Sequence, residues 1–461
     1  MCRVLELGCG DGGNTLSLAQ ALPAASFVAI DLAASAIARG AQLARDAGLE
    51  NVELICADLE HLPEGLGSFD YVLAHGVYSW IPPRARGALL DCCRQRLNAH
   101  GIAYVSYNAY PGSYLRDMTR DMLLYHLRDV EDPRQRLEGA HDLMRTIVEI
   151  ETPSPYAQAL REQVERMLRY GDALLFHDDL AEISTPFYFH EFVEHATRYE
   201  LRFLAEADLS DSQMRDVPES AARLMATLGD DALAREQYMD FFRNRMFRQT
   251  LLCHNNTPVR RELDDRVLER FVISSSARLH ESESAARDER TYATPEGFSL
   301  TTSEPPLVAA MHVLAQAWPA ALDFSVLLDA ARAAAPPAVS AELVAERLHA
   351  VLLHAYLARI VQFQGCPAPL RAQPGALPLA GALARAQCAA GAPAVSSLLH
   401  ASVRLEGSLE PRLLGLLDGT HDRAWLLDEL ASTTSPPEDP PTAAQLEQAL
   451  ERFASVGLLR C

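Results

Sequence analysis

Apolar and polar positions divide the first hundred residues into short apolar runs separated by longer amphipathic stretches. Residues 4–7 (V-L-E-L), 27–31 (F-V-A-I-D), 52–58 (V-E-L-I-C-A-D), 69–74 (F-D-Y-V-L-A) and 102–107 (I-A-Y-V-S-Y) read as five strands. Helical periodicity fills the gaps, most clearly at 34–47 and 86–97. Strand alternating with helix, with the strands apolar, predicts a parallel doubly wound α/β sheet. Ligands bind such sheets beyond the carboxyl ends of the strands.

Downstream the pattern changes. Residues 115–169 read as helical with a break at 152–155 (T-P-S-P), followed by a helix over 189–200 and a strand over 201–207. This predicts a helical insertion at 126–182 that interrupts the sheet, which resumes in a region spanning 183–270. The strand at 201–207 is then expected to pair with the strand at 102–107 or with that strand's neighbour. Residues 274–295 are polar and charged and read as a linker. Beyond them, 348–357 aligns with 450–459 at an offset of 102. Two blocks of three helices and a terminal strand are predicted, at 300–366 and 395–461, with the winged-helix pattern. A Pro/Gly/Ala-rich stretch at 367–394 joins them.

At 461 residues the chain needs several cores, with the first expected over 1–125. Mean hydropathy is near zero, and no apolar run approaches the roughly 18 residues of a membrane span. The nine cysteines are scattered and form no C-x-x-C pair, which fits a reducing cytoplasm and neither zinc nor disulfides. The net charge of −21 disfavours nucleic acid and anionic membranes as partners. There is no lysine among the 41 basic residues, so the chain cannot carry a modification on its own lysine side chain. The glycine loop arrives at residue 8, on a strand that leaves no room for a secretory signal; the expectation is that residues preceding it are missing.

That loop, Glu6-Leu7-Gly8-Cys9-Gly10-Asp11-Gly12, reads E-x-G-x-G-x-G, with a shifted G-x-G-x-x-G reading also present. Alternating glycines let backbone approach a ligand, and Asn14 is placed to cap the helix that follows. Asp31 ends the second strand, 23 residues after Gly8, at the spacing where an acid grips ribose hydroxyls. Asp58 ends the third strand. V-L-E-L-G-C-G-D-G-G, A-I-D-L, C-A-D-L-E-H-L-P and F-D-Y-V together resemble the class I S-adenosylmethionine (SAM) methyltransferases. The resemblance implies that Glu6, Gly8, Gly10 and Gly12 hold the methionine part of SAM. It also implies that Asp31 and Leu32 meet the ribose, and that Asp58 and Leu59 meet the adenine. A nicotinamide dinucleotide is the alternative cofactor.

Two loops at strand ends collect the aromatic candidates. One runs A-H-G-V-Y-S-W-I-P from Ala74, the other V-S-Y-N-A-Y-P-G from Val105. They supply His75, Tyr78, Trp80, Tyr107, Asn108 and Tyr110. These segments, with F-Y-F-H-E-F at 187–192, L-A-E-A-D at 204–208 and F-F-R-N-R-M-F-R-Q-T-L-L-C-H at 241–254, are similar to a bacterial family with a methyltransferase regulatory domain. The best-known members of that family are protein-lysine methyltransferases of outer-membrane proteins. The resemblance covers about residues 3–265 and implies a protein substrate. The four aromatics would then form a water-poor channel, with Asn108 or His75 orienting the amine. A small-molecule methyltransferase dimerised by its C-terminal modules, or a SAM-sensing scaffold without turnover, are the other readings. H-E-F-V-E-H at 190–195 is superficially similar to a zinc-protease motif. Its spacing puts the two histidines about 140° apart on a helix, and no metal is expected. His177-Asp178-Asp179 reads as a solvated turn.

Overall fold

The computed structural model describes residues 1–150, 153–169, 171–212, 218–229, 231–260, 265–280, 289–433 and 440–460. Thr152 of the expected break and residues 281–288 of the expected linker lie outside them. Two compact units are present: residues 1–2, 9–56 and 259–461 form one, and 3–8 and 57–258 the other.

The opening strand–helix alternation is realised. It runs β1 (Arg3–Leu7), α1 (Gly13–Ala21), β2 (Ser26–Asp31), α2 (Ala34–Asp46), β3 (Val52–Cys56), β4 (Phe69–Ala74), α3 (Pro83–Arg96) and β5 (Leu97–Asn108). Helix α1 begins at Gly13 with Gly12 as its cap in the left-handed region (φ 78°). Asn14 therefore sits inside the first turn, and the expected asparagine cap is replaced by a glycine.

The helical interval follows as α4 (Ser113–His126), α5 (Pro133–Val148), α6 (Pro155–Met167) and the single turn α7 (Asp172–Leu174), which runs into a π-helical turn at Leu175–Asp179. Asp132 and Ser154 cap α5 and α6, each with proline at the first turn. Leu123, Met144, Ile147, Leu160 and Val164 form the core of this bundle.

The chain returns through α8 (Phe189–Arg198) and β6 (Leu201–Glu206), then α9 (Glu219–Thr227), α10 (Ala232–Arg243) and β7 (Phe247–His254). The strand order is β3-β2-β1-β4-β5-β7-β6. Strand β6 pairs antiparallel with β7, and β7 antiparallel with β5. The strand expected at 201–207 thus joins the neighbour of β5. No strand is expected from the sequence at β7, which carries that connection.

The C-terminal region holds β8 (Val272–Ser274), β9 (Arg278–His280), β10 (Arg290–Ala293) and β11 (Ser299–Thr302). Strands β9, β10 and β11 form an antiparallel sheet, so much of the expected linker is folded. Next come α11 (Pro305–Ala317), β12 (Leu322–Asp323), α12 (Phe324–Ala334), α13 (Ala341–Leu357) and β13 (Gln362–Gln364). Their core includes Leu314, Leu327, Leu348 and Ile360, with β8 between β12 and β13. The last elements are α14 (Ala382–Ala389), β14 (Ala394–Ser396), β15 (Ser402–Arg404), α15 (Leu409–Leu416), α16 (Arg423–Ser432) and α17 (Ala443–Ser455).

Helix α14 lies in the Pro/Gly/Ala-rich stretch expected to join the two three-helix blocks. It packs Leu383 and Ala386 against Leu16 of α1 and Ala44 of α2. Leu383 N–H donates to Gln20 Oε1 at 2.8 Å in a buried setting. Burying Leu16 and Leu383 stabilises this contact by roughly 1.5–3 kcal/mol per side chain. The last three-helix core also draws on Ala380 and Ala384, ahead of the expected start at 395.

Candidate active site

The glycine loop is shaped by its own backbone. Gly8, Gly10 and Gly12 all have positive φ (71°, 58° and 78°), where a Cβ is penalised. A Cβ on Gly10 would meet no atom within 4 Å, so the space above that residue is open. Asp31 receives Gly10 N–H on Oδ2 and Ala33 N–H on Oδ1, both at 2.8 Å. Each oxygen keeps a lone pair for a hydroxyl donor. Leu32 beside it is 71% exposed, an unusual position for a large apolar side chain.

In the other unit, Asp58 caps a short 3-10 turn (Leu59–His61) by accepting Glu60 N–H at 2.9 Å. Its side chain remains about half exposed. Glu6 is buried at the end of β1.

A cavity of about 440 Å³ lies at the carboxyl ends of β4 and β5, within the range of small-ligand clefts. His75, Trp80, Asn108, Arg116, Arg166 and His177 are among its walls, with Gly76, Ser113, Asp178, Met246 and Phe247. Three of the six expected residues, His75, Trp80 and Asn108, therefore meet in one place. Tyr110 is not among its lining residues: its hydroxyl donates to Asp117 Oδ2 at 2.8 Å and its ring stacks on Tyr114 at 4.2 Å. Tyr114, Tyr188, Phe241, Tyr238 and Phe242 continue the ring contacts, with Tyr114, Phe241 and Phe242 exposed.

Tyr78 and Tyr107 do not belong to this channel. Both are fully buried. Tyr78 pairs its hydroxyl with His195 Nδ1 at 2.6 Å, and Tyr107 stacks on Phe192 at 4.2 Å with its hydroxyl 3.3 Å from Thr250 Oγ1. Strand alternation decides this. Tyr107 faces its partner Arg248 on β7, while Asn108 and its partner Phe247 point the other way. Burial raises both phenols above their ordinary value, leaving them neutral packing groups.

On the Asn108 face a polar relay holds His75. Tyr104 hydroxyl donates to Gln249 Oε1 at 3.0 Å, so the same oxygen can only accept from His75 Nδ1 at 2.9 Å. Ser106 Oγ lies 3.1 Å from Nδ1 and accepts Gly76 N–H at 2.8 Å. With Gln249 in this orientation, Nδ1 carries the proton and Nε2 keeps a lone pair. Partial desolvation holds the imidazole below its ordinary pKa.

The expected solvated turn at His177-Asp178-Asp179 is instead part of the wall. Asp179 is fully buried and accepts from Arg116 Nε at 2.6 Å. Asp178 and His177 line the cavity. Arg116 comes 63 residues earlier in sequence, so local composition gave no sign of the pairing. Phe247 and Met246 fall in a motif singled out above, but their place in the wall depends on β7. His190 and His195 take separate partners, Gln237 and Tyr78. Among the described residues no cluster of metal-ligating side chains exists, and no helix is long and apolar enough to cross a membrane.

The fold and the glycine loop are those of the class I SAM-dependent methyltransferases. Residues 4–101 match the family model described as "Methyltransferase domain", 171–254 "Predicted methyltransferase regulatory domain", and 377–438 "PKMT, C-terminal winged helix domain". The chain belongs to the family of methyltransferases that carry this regulatory domain. It is 34% identical over 273 residues to "Uncharacterized protein RP789" of Rickettsia prowazekii, covering 59% of this chain and 49% of that protein. It is 33% identical to "Uncharacterized protein RP028" of the same organism, covering 44% of this chain and 82% of that protein. The chain thus matches about half the length of the first relative and most of the second. Among solved structures, PKMT2 from Rickettsia typhi in complex with AdoHcy superposes with a TM-score of 0.87 at 26% identity, over 99% of this chain and 94% of that one.

Proposed function

We propose that this chain methylates lysine side chains of a protein substrate, using SAM. The observation that carries the reading is the His75 imidazole, held through Nδ1 by Tyr104 and Ser106 in the wall of a cavity that Trp80 and Asn108 also line. Glu6, Gly8, Gly10, Gly12, Asp31, Leu32, Asp58 and Leu59 are the residues that hold SAM. When bound, SAM supplies the methyl group on a sulfonium.

A free lysine has a pKa of about 10.4, so near pH 7.4 roughly one in a thousand is neutral, a barrier of about 4 kcal/mol. His75 Nε2 is the acceptor for the ammonium proton, and the relay through Tyr104, Ser106 and Gln249 keeps it in the receptive tautomer. The Asn108 side chain orients the amine. Trp80 and Tyr110 present ring faces that tolerate the cationic transition state and exclude water. In-line positioning supplies the rest. The exposed rings from Tyr114 to Phe242 suit a polypeptide lying across the surface.

The family name carried by the Rickettsia typhi protein supports a protein acceptor, and the net charge of −21 gives the C-terminal modules a protein-contacting, dimer-forming role over a nucleic-acid one. A cytoplasmic location is part of this proposal, supported by nine scattered cysteines without a C-x-x-C pair.

The test is methyl transfer from labelled SAM into a bacterial lysate, separated into precipitated protein and soluble small molecules. Label in protein that disappears when lysines are blocked supports the reading. Label confined to the soluble fraction refutes it.

A further inference from the structure

The cavity holds more cation than anion, and the excess sits on one residue. Among its described lining groups are two guanidiniums, Arg116 and Arg166, and one carboxylate, Asp178. Arg116 is answered twice. Its Nε donates to the buried Asp179 at 2.6 Å and its Nη2 to Asp178 at 3.3 Å. The other oxygen of Asp178 lies 3.0 Å from His177 Nδ1, so that carboxylate is already occupied on both sides.

Arg166 is different. It projects from α6, and its hydrogen-bond contact among the described residues is Nη1 to Met246 Sδ at 3.2 Å. A thioether is a weak acceptor, whereas a guanidinium offers five donors in a planar fork that matches a carboxylate. The fork stands in the wall of the cavity proposed above for the acceptor amine. An incoming lysine carries positive charge until His75 takes its proton, so an unanswered guanidinium nearby works against its entry. A segment that brings its own carboxylate removes that penalty and fills the fork.

We propose that Arg166 binds the carboxylate of an aspartate or glutamate adjacent to the target lysine, so that this enzyme selects lysines with an acidic neighbour. This rests on the reading of a protein-lysine substrate given above. The shared chemistry, a carboxylate on a guanidinium, could also come from the methionine end of SAM, and the test separates the two sources.

The experiment uses the full chain with synthetic peptides containing one lysine flanked by Asp or Glu, and matched peptides with Asn or Gln. The wild-type kcat/KM is expected to favour the acidic peptides by roughly tenfold to a hundredfold, the span of one charged hydrogen-bonded pair. Arg166→Gln should abolish that preference while KM for SAM stays the same. Arg166→Lys should keep part of it, since charge remains and the bidentate fork is lost. Unchanged thermal unfolding of both variants shows that the fold is intact. A wild-type enzyme indifferent to the neighbour, a preference that survives in Arg166→Gln, or a rise in KM for SAM would each overturn the proposal, the last assigning Arg166 to SAM itself. If wild type labels small molecules and neither peptide nor lysate protein, the protein-lysine reading has failed and this proposal falls with it. Label in lysate protein without a flank preference overturns this proposal alone.

Discussion

The two faces of the β5–β7 pair both carry a tyrosine among polar side chains and do opposite work. One face carries Tyr107, Arg248 and Thr250 with Glu206 from β6. The other carries Tyr104, Ser106, Asn108, Phe247 and Gln249, with His75 against them. On the first face every charge is matched. Arg248 is fully buried and donates to Glu206 at 2.7 Å, Asp240 at 2.8 Å and Glu236 at 3.0 Å, with Phe189 under its guanidinium at 3.9 Å. Arg245 joins through Asp240 at 3.2 Å. On the second face the hydrogen bonds stop at an imidazole nitrogen and an arginine fork that face a cavity. Satisfied polar groups rigidify a fold, while polar groups left with spare capacity are what a substrate can use.

Breaking the first face should have the largest effect. Arg248→Met leaves the buried carboxylates of Glu206 and Asp240 with Arg245 alone, at 3.5 Å and 3.2 Å, and the loss of one partner of such a set costs roughly 3–5 kcal/mol. Denaturant unfolding should show a variant near the limit of folding. If stability falls by less than about 1 kcal/mol, the network is not a structural anchor.

On the second face, His75→Ala should lower kcat by about 10²–10⁴-fold while SAM affinity, read by calorimetry, stays within twofold or so. Equal losses in both would remove His75 from proton transfer. A third prediction concerns pH. Burial lifts the Asp240 carboxyl to about 6, against the opposing pull of Arg248 and Arg245. Its unfolded value is near 3.8, so between about pH 4 and pH 6 the folded state binds more protons than the unfolded state. Stability therefore falls as pH rises through that window. The slope should flatten in Asp240→Asn, and an unchanged slope would place the titration elsewhere. The smallest effect is expected from Tyr107→Phe. It removes one hydroxyl 3.3 Å from Thr250 and leaves the stack on Phe192. A loss of about 1 kcal/mol or less is expected with turnover retained. A collapse of kcat would return Tyr107 to the substrate channel.

The strands from β1 to β5 were legible because each is an apolar run closed by an acid, a glycine or a polar turn. Such local signals survive any tertiary arrangement. Strand β7 was not, because F-R-Q-T-L-L-C-H alternates polar and apolar residues only imperfectly and places a fully buried arginine at its second position. Helix α14 was hidden by a Pro/Gly/Ala-rich setting. Its reason to be helical is the surface offered by α1 and α2, through Leu16, Ala44 and Gln20.

What the sequence determined by itself is the order of the methyltransferase elements, the glycine loop with Asp31 and Asp58, and the pool of polar and aromatic residues at two strand ends. Spacing along the chain encodes these, since a loop between a strand and a helix has little freedom. What only the tertiary structure decided is which of those residues face the cavity. A one-residue step along a strand exchanges core for cavity, as Tyr107 and Asn108 do. The partners that make the choice lie far along the chain: Arg248 and Thr250 for Tyr107, and Asp179 for Arg116.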